Sequence, residues 1–132
     1  MAQGGAALEG ASAVRVLLVE DEALVGLDLK KTLEKAGYET LGPLATVAAA
    51  LAVISSTKPD AALLDLDLSG EKSYAVADAL AASGIPFVIT TGYSIADLPK
   101  KYGQHLVLSK PFTPRDLLRC LKQAMTLDEV AD

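Results

Sequence analysis

A doubly wound α/β domain with a five-stranded parallel sheet is the fold this sequence predicts, on three observations. Short apolar runs alternate five times with helical stretches. The first, third and fourth runs are continuously apolar, as strands covered on both faces of a parallel sheet are. The connections are short, which favours right-handed crossovers. In such sheets the chemistry gathers beyond the carboxyl ends of the strands, where the strand order reverses.

Each element has its own signal. The first run is 14–19, ending at Glu20-Asp21. A helix over 23–36 follows, with Val25, Leu29, Leu33 and Ala36 on one face and Gly37 placed for a C-cap. The second run, 38–41, is weaker and is stopped by Gly42-Pro43. Thr46 is placed to cap an Ala-rich helix over 47–56. The third run, 61–64, leads into Asp65, and a Ser-Gly turn precedes a helix over 74–82. The fourth run is 87–91. A short helical stretch over 94–101 contains Pro99, which limits it. The fifth run is 105–108. For the last helix, Thr113 suits the N-cap, Pro114 the first helical position and Asp116 the first turn, while Leu117, Leu118, Leu121 and Met125 form the apolar stripe. Residues 1–13 are Gly/Ala-rich without periodicity and read as a disordered tail. The domain is expected over 14–126, with a flexible C-terminal tail over 127–132.

Composition narrows the function. A chain of 132 residues is the size of one domain and can bury a core without disulfides or a structural metal. With 51% apolar but only 5% aromatic residues, that core must be aliphatic. The net charge of −5 argues against sequence-independent nucleic-acid binding. A lone cysteine, Cys120, excludes an internal disulfide and fits a reducing compartment. Residues 1–13 lack a basic start and a continuous apolar run, so no secretion signal is expected, and no stretch approaches the ~20 apolar residues of a membrane span. A soluble cytoplasmic protein, without nucleic-acid or membrane partners, is expected.

Placed on this scaffold, the polar residues converge. Glu20 and Asp21 lie beyond strand one, Asp65 ends strand three, Thr91 ends strand four and Lys110 follows strand five. Three carboxylates at one sheet edge repel each other and coexist ionised only beside a cation. All-oxygen ligation favours Mg²⁺ or Mn²⁺. A carboxylate is a competent nucleophile for phosphoryl transfer, and an ammonium and a hydroxyl suit the other phosphoryl oxygens. Taken singly, each residue has a plainer reading: a helix cap for Glu20-Asp21, a turn former for Asp65 and Asp67, a strand end for Thr91. Their joint placement carries the functional reading.

Four motifs in order, Val19-Glu20-Asp21-Glu22, Leu63 through Gly70, Pro86 through Gly92, and Lys110-Pro111-Phe112, resemble the response-regulator receiver family across residues 14–126. The resemblance implies the flavodoxin-like (βα)5 receiver fold and a phosphorelay function. It implies Asp65 as phosphoacceptor, Mg²⁺ bound by Asp21, Asp65 and the backbone carbonyl of Asp67, and Glu20 acting mostly through water. It also implies Thr91 as the switch hydroxyl, Lys110 on the phosphoryl group and a cis bond before Pro111. A histidine kinase or a phosphotransfer protein is the implied donor, and the switched surface for an unnamed downstream protein spans residues 92–108. Such a domain catalyses only its own phosphotransfer and dephosphorylation.

Departures from the family pattern matter. The switch aromatic three residues before the lysine is replaced by Val107, and the interval from Thr91 to Lys110 is short. The Thr-Gly-Tyr core at 91–93 resembles an alphaproteobacterial subfamily named for a Phe-Ala-Thr-Gly-Tyr motif, whose donors are often HWE-type kinases. Tyr93 is therefore expected to take over part of the aromatic role. With a short fourth helix and no switch aromatic, a monomer is expected, and the chain is expected to act alone, without an effector domain.

Other readings fit less well. A haloacid-dehalogenase-type phosphatase shares the Asp-x-Asp motif but places it on strand one. A calcium loop starting at Asp65 has Val76 where a bidentate Glu belongs. A flavodoxin-like cofactor binder needs a phosphate loop where Glu20-Asp21-Glu22 stands. A receiver-fold scaffold that is never phosphorylated remains as the alternative from a different class, although no acidic residue of the site is missing.

Overall fold

The computed structural model describes residues 13–92 and 106–131. In chain order the elements are β1 (Arg15–Val19), α1 (Ala23–Lys35), β2 (Glu39–Leu44), α2 (Val47–Thr57), β3 (Ala61–Asp65), β4 (Asp67–Leu68), β5 (Glu71–Lys72), α3 (Tyr74–Ala82), β6 (Phe87–Thr91), β7 (Leu106–Ser109) and α4 (Pro114–Ala131). Five of the strands form one sheet in the order β2-β1-β3-β6-β7, and every pairing in it is parallel. This is the doubly wound fold expected. The chain steps one way from β1 to β2 and the other way from β3 onward. The reversal therefore lies at the carboxyl ends of β1 and β3, beside Glu20 and Asp65.

The continuous apolar runs are explained by burial. Val16 through Val19 are at most 1% exposed, and β3 and β6 are buried throughout. Alternate residues feed two aliphatic cores. On one face Leu17, Val19, Leu64 and Ile89 pack with Ile54 of α2 and Val76 and Leu80 of α3. On the other, Val16, Leu18, Leu63 and Val88 pack with Leu29 and Leu33 of α1 and Leu117 and Leu121 of α4. Cys120 belongs to that second cluster, and burial pushes its thiol pKa up. The predicted caps form: the hydroxyl of Thr46 accepts from Ala49 N at 3.1 Å, and that of Thr113 accepts from Asp116 N at 3.0 Å.

The structure departs from the sequence reading in three places. The second strand does not stop at Leu41 but runs to Leu44, through Gly42 and a cis Gly42–Pro43 bond. It is an edge strand with a register shift opposite Leu17 and Val19, and an edge is where a residue without N–H is tolerated. The Ser-Gly turn is the tip of a small antiparallel hairpin, β4–β5. The segment read as a C-terminal tail is helical as far as Ala131, since neither Gly nor Pro interrupts it after Met125. The fourth helical stretch, Tyr93 and His105 lie outside the described residues, as does the N-terminal tail up to residue 12.

Gly42 makes the β2 bend possible. Its φ is +119°, and a Cβ there would stand 2.6 Å from the Leu18 carbonyl oxygen and 2.8 Å from Leu44 N. Backbone atoms on both sides cannot yield cheaply. Gly42→Ala is expected to cost about 3 kcal/mol of stability through combined strain and overlap. A urea midpoint equal to that of the native chain contradicts this account. Gly26 plays a related part in α1, where a Cβ would meet Pro43 at 2.8 Å, so the helix lies directly on the bend.

Candidate functional site

Beyond the carboxyl ends of β1, β3 and β6 lies an open cleft of about 390 Å³, lined by Asp21, Glu22, Asp65, Asp67, Ser69, Gly70, Gly92 and Lys110. Register places these groups. β1 and β3 pair Val19 with Leu64, so Glu20 and Asp65 follow side by side. β6 and β7 pair Thr91 with Ser109, and Lys110 N donates to the Thr91 carbonyl at 2.8 Å, which swings Lys110 over the edge. The Lys110–Pro111 peptide is cis.

One carboxylate oxygen from each of Glu20, Asp21 and Asp65 lies within 4.8 Å of the other two. Each carboxylate is held by the protein. Glu20 Oε2 accepts from Glu22 N at 3.0 Å. Asp65 Oδ1 accepts from Asp67 N at 3.1 Å, and Asp65 Oδ2 accepts from Lys110 Nζ at 2.9 Å. Asp21 Oδ2 accepts from the Ser69 hydroxyl. Lys110 Nζ also lies 3.6 Å from Glu20 Oε1. The lysine pKa is raised: burial alone opposes its charge, but the bond to Asp65 and the charges of Asp65, Glu20 and Glu22 outweigh it.

Glu20 is 3% exposed, and its Oε1 accepts no hydrogen bond among the described residues. Burial first, then the Asp65 charge, pushes its pKa to about 6, against the Glu22 N–H and Lys110, which act the other way. A buried, unbonded carboxylate oxygen beside two more carboxylates suits a hard divalent cation. The donor set is all oxygen, so the residues fit Mg²⁺ or Mn²⁺. The raised pKa also fixes a sign. Without metal, folded Glu20 holds its proton more tightly than the unfolded chain does. Its contribution to stability is therefore full below the ordinary glutamate value of 4.5 and is lost as pH rises through about 6. The stabilisation that Mg²⁺ confers is accordingly expected to be smaller at pH 5.5 than at pH 7.5, and Glu20→Gln to flatten that difference. Thermal melts at both pH values check it, and equal Mg²⁺ stabilisation at both contradicts it.

Thr91 is 1% exposed at the end of β6, with Gly92 forming the cleft wall there. Val107 is half-buried, pairs with Ile89 and packs against the α2–α3 core. Asp67 is where the hairpin begins, opposite Lys72, whose Nζ is 4.0 Å from its Oδ2. Two site residues escaped the sequence reading. Ser69 reaches Asp21, and Ser73, fully buried, donates to the backbone carbonyl of Asp65 at 2.6 Å. Only the Ser-Gly pair at 69–70 hinted at either.

The pattern for the response regulator receiver domain matches residues 16–122. The chain belongs to the response regulator receiver family. The receiver domain is 32% identical over 116 residues to the transcriptional regulatory protein PdtaR of Mycobacterium tuberculosis, covering 85% of this chain and 57% of that protein. It is 28% identical to the phyllosphere-induced regulator PhyR of Methylorubrum extorquens, covering 98% of this chain and 50% of PhyR. The chain thus spans about half the length of these curated relatives. Among solved structures, SdrG from Sphingomonas melonis Fr1 is 39% identical with a TM-score of 0.75, covering 88% of this chain and 98% of that one. A beryllofluoride-activated SdrG is 40% identical with a TM-score of 0.74, covering 87% and 99%. Receiver domains are signalling modules of two-component systems that interact with histidine kinases or phosphotransfer proteins, and the family binds Mg²⁺ at an acidic pocket. Among the described residues no helix is long and apolar enough to cross a membrane.

Proposed function

We propose that Asp65 accepts a phosphoryl group from a histidine kinase or phosphotransfer protein, with Mg²⁺ held beside it. The observation that carries this reading is the carboxylate trio within 4.8 Å, with Lys110 Nζ at 2.9 Å from Asp65. As the donor nitrogen–phosphorus bond breaks, an oxygen–phosphorus bond forms to a carboxylate oxygen of Asp65. Glu20, Asp21, Asp65 and the Asp67 carbonyl would hold the cation, which supplies charge against the carboxylates and the incoming oxygens. Mn²⁺ serves the same donor set. Lys110 then leaves Asp65 for a phosphoryl oxygen, and the Thr91 hydroxyl takes another.

The output follows from that hydroxyl. Thr91 is fully buried at the end of β6, so its movement draws on residues 92–108 and the surface they present to a downstream protein. Val107 packs where the family places an aromatic ring, and Tyr93 supplies part of that role. The resemblance at Thr91-Gly92-Tyr93 favours a kinase of the HWE or a related type where the donor is a histidine kinase, and the protein acts as a monomer in the cytoplasm.

Beryllofluoride titration in Mg²⁺, followed by amide-resolved NMR, tests this. Saturable shifts at residues 20–22, 65–70, 91 and 110 are expected. No shift at saturating metal and beryllofluoride removes the phosphoacceptor reading and leaves a scaffold that binds constitutively.

A further inference from the structure

We infer that Ser69 is a positioning residue for the cation: its hydroxyl orients the Asp21 carboxylate so that the oxygen left over faces the metal. The inference rests on the phosphoacceptor reading and adds a residue to it. Ser69 sits at the tip of the β4–β5 hairpin with φ at +53°, followed by Gly70 at +89°. Glycine takes that region freely and serine at a cost, so the turn fixes where the Ser69 side chain leaves the backbone. Its hydroxyl donates to Asp21 Oδ2, 48 residues away in sequence, at the wall of the cleft.

The hairpin is built to hold that hydroxyl still. Asp67 pairs with Lys72, and Leu68 with Glu71. Leu68 is 3% exposed and anchors the strand in the α2–α3 core. At the hairpin's base the buried Ser73 hydroxyl donates to the Asp65 carbonyl at 2.6 Å, and Ser73 N donates to the Leu66 carbonyl at 2.9 Å.

The other two carboxylates explain why such a tether is needed. Glu20 is fixed by Glu22 N, and Asp65 by Asp67 N and Lys110. Asp21 is the most solvated of the three, and Ser69 is the partner that holds it. Mg²⁺ demands near-ideal octahedral geometry, so a freely rotating ligand weakens the site. Hydrogen bonds to ligating carboxylates are worth roughly 10- to 100-fold in metal affinity.

Ser69→Gly isolates the hydroxyl, because glycine accepts the left-handed backbone and the turn persists. Mg²⁺ titrations followed by amide shifts at residues 20–22 and 65–70, with metal-free melts alongside, are expected to separate two quantities. The metal-free melting temperature holds or rises, while the Mg²⁺ dissociation constant increases roughly tenfold. Ser69→Asn, which tolerates the same backbone and carries an amide donor, recovers most of the affinity. Equal Mg²⁺ affinity in native and Ser69→Gly proteins overturns the inference. Tighter binding in Ser69→Gly overturns it too, by making the bond a competitor of the metal. A native chain without saturable Mg²⁺ binding sinks the phosphoacceptor reading instead, so the two failures are distinct.

Discussion

Asp65→Asn is expected to abolish phosphoryl uptake completely while leaving the fold intact. The substitution preserves volume and leaves one acceptor oxygen, which can keep the Asp67 N bond at the β3 end, while the amide NH2 replaces the oxygen that accepts from Lys110 Nζ and that contact is lost. It removes the nucleophile, since an amide oxygen does not displace a phosphohistidine or an acyl phosphate leaving group. It also takes one of three charges from the metal site, so Mg²⁺ affinity should fall at least about tenfold. Intact mass after incubation with acetyl phosphate and Mg²⁺ reads the first effect, and Mg²⁺-dependent melting reads the second. A phosphoryl increment of native size in Asp65→Asn moves the acceptor to another residue. An unchanged Mg²⁺ response removes Asp65 from the ligand set.

The site was legible because parallel strands make it so. Strands buried on both faces read as apolar runs, and the polar residue that ends each run marks a carboxyl end of the sheet. Glu20, Asp65 and Lys110 were found this way, without any contact in view. The edge strand was not. Gly42-Pro43 reads as a stop, and only the strand order reveals that β2 is an edge where a proline can continue. The β4–β5 hairpin was invisible for a different reason: two-residue strands have no period to detect. Ser69 and Ser73 followed it into obscurity. A serine announces a turn, and nothing local says that its hydroxyl meets a carboxylate 48 residues earlier. The plain reading of Glu20-Asp21 as a helix cap does not hold, because Glu22 is the N-cap of α1 and no side chain caps it. One Glu20 oxygen binds Glu22 N just before the helix, and the other lies 3.6 Å from Lys110 Nζ.

Lys110→Ala is expected to split two properties that Asp65→Asn lowers together. The Lys110 ammonium faces Asp65 at 2.9 Å and Glu20 at 3.6 Å, and both carboxylates are buried. Removing it leaves like charges facing each other without the cation that pairs with them among the described residues. The Lys110 side chain is 29% exposed, so solvent screens part of this, and a loss of roughly 1 to 3 kcal/mol in metal-free stability is reasonable. The same loss makes the site more negative. Mg²⁺ should therefore bind as tightly as in the native chain or tighter, and should restore most of the lost stability. Phosphoryl uptake should nevertheless slow by about 10²- to 10³-fold, because the charge that met the phosphoryl oxygens is gone. Lys110→Arg should recover stability better than rate, since a planar guanidinium restores charge but not the compact ammonium geometry. Mg²⁺ titration, metal-free denaturation and acetyl phosphate kinetics on the two variants separate these effects. If Mg²⁺ affinity falls in Lys110→Ala as far as the rate does, Lys110 organises the carboxylates and does not touch the phosphoryl group.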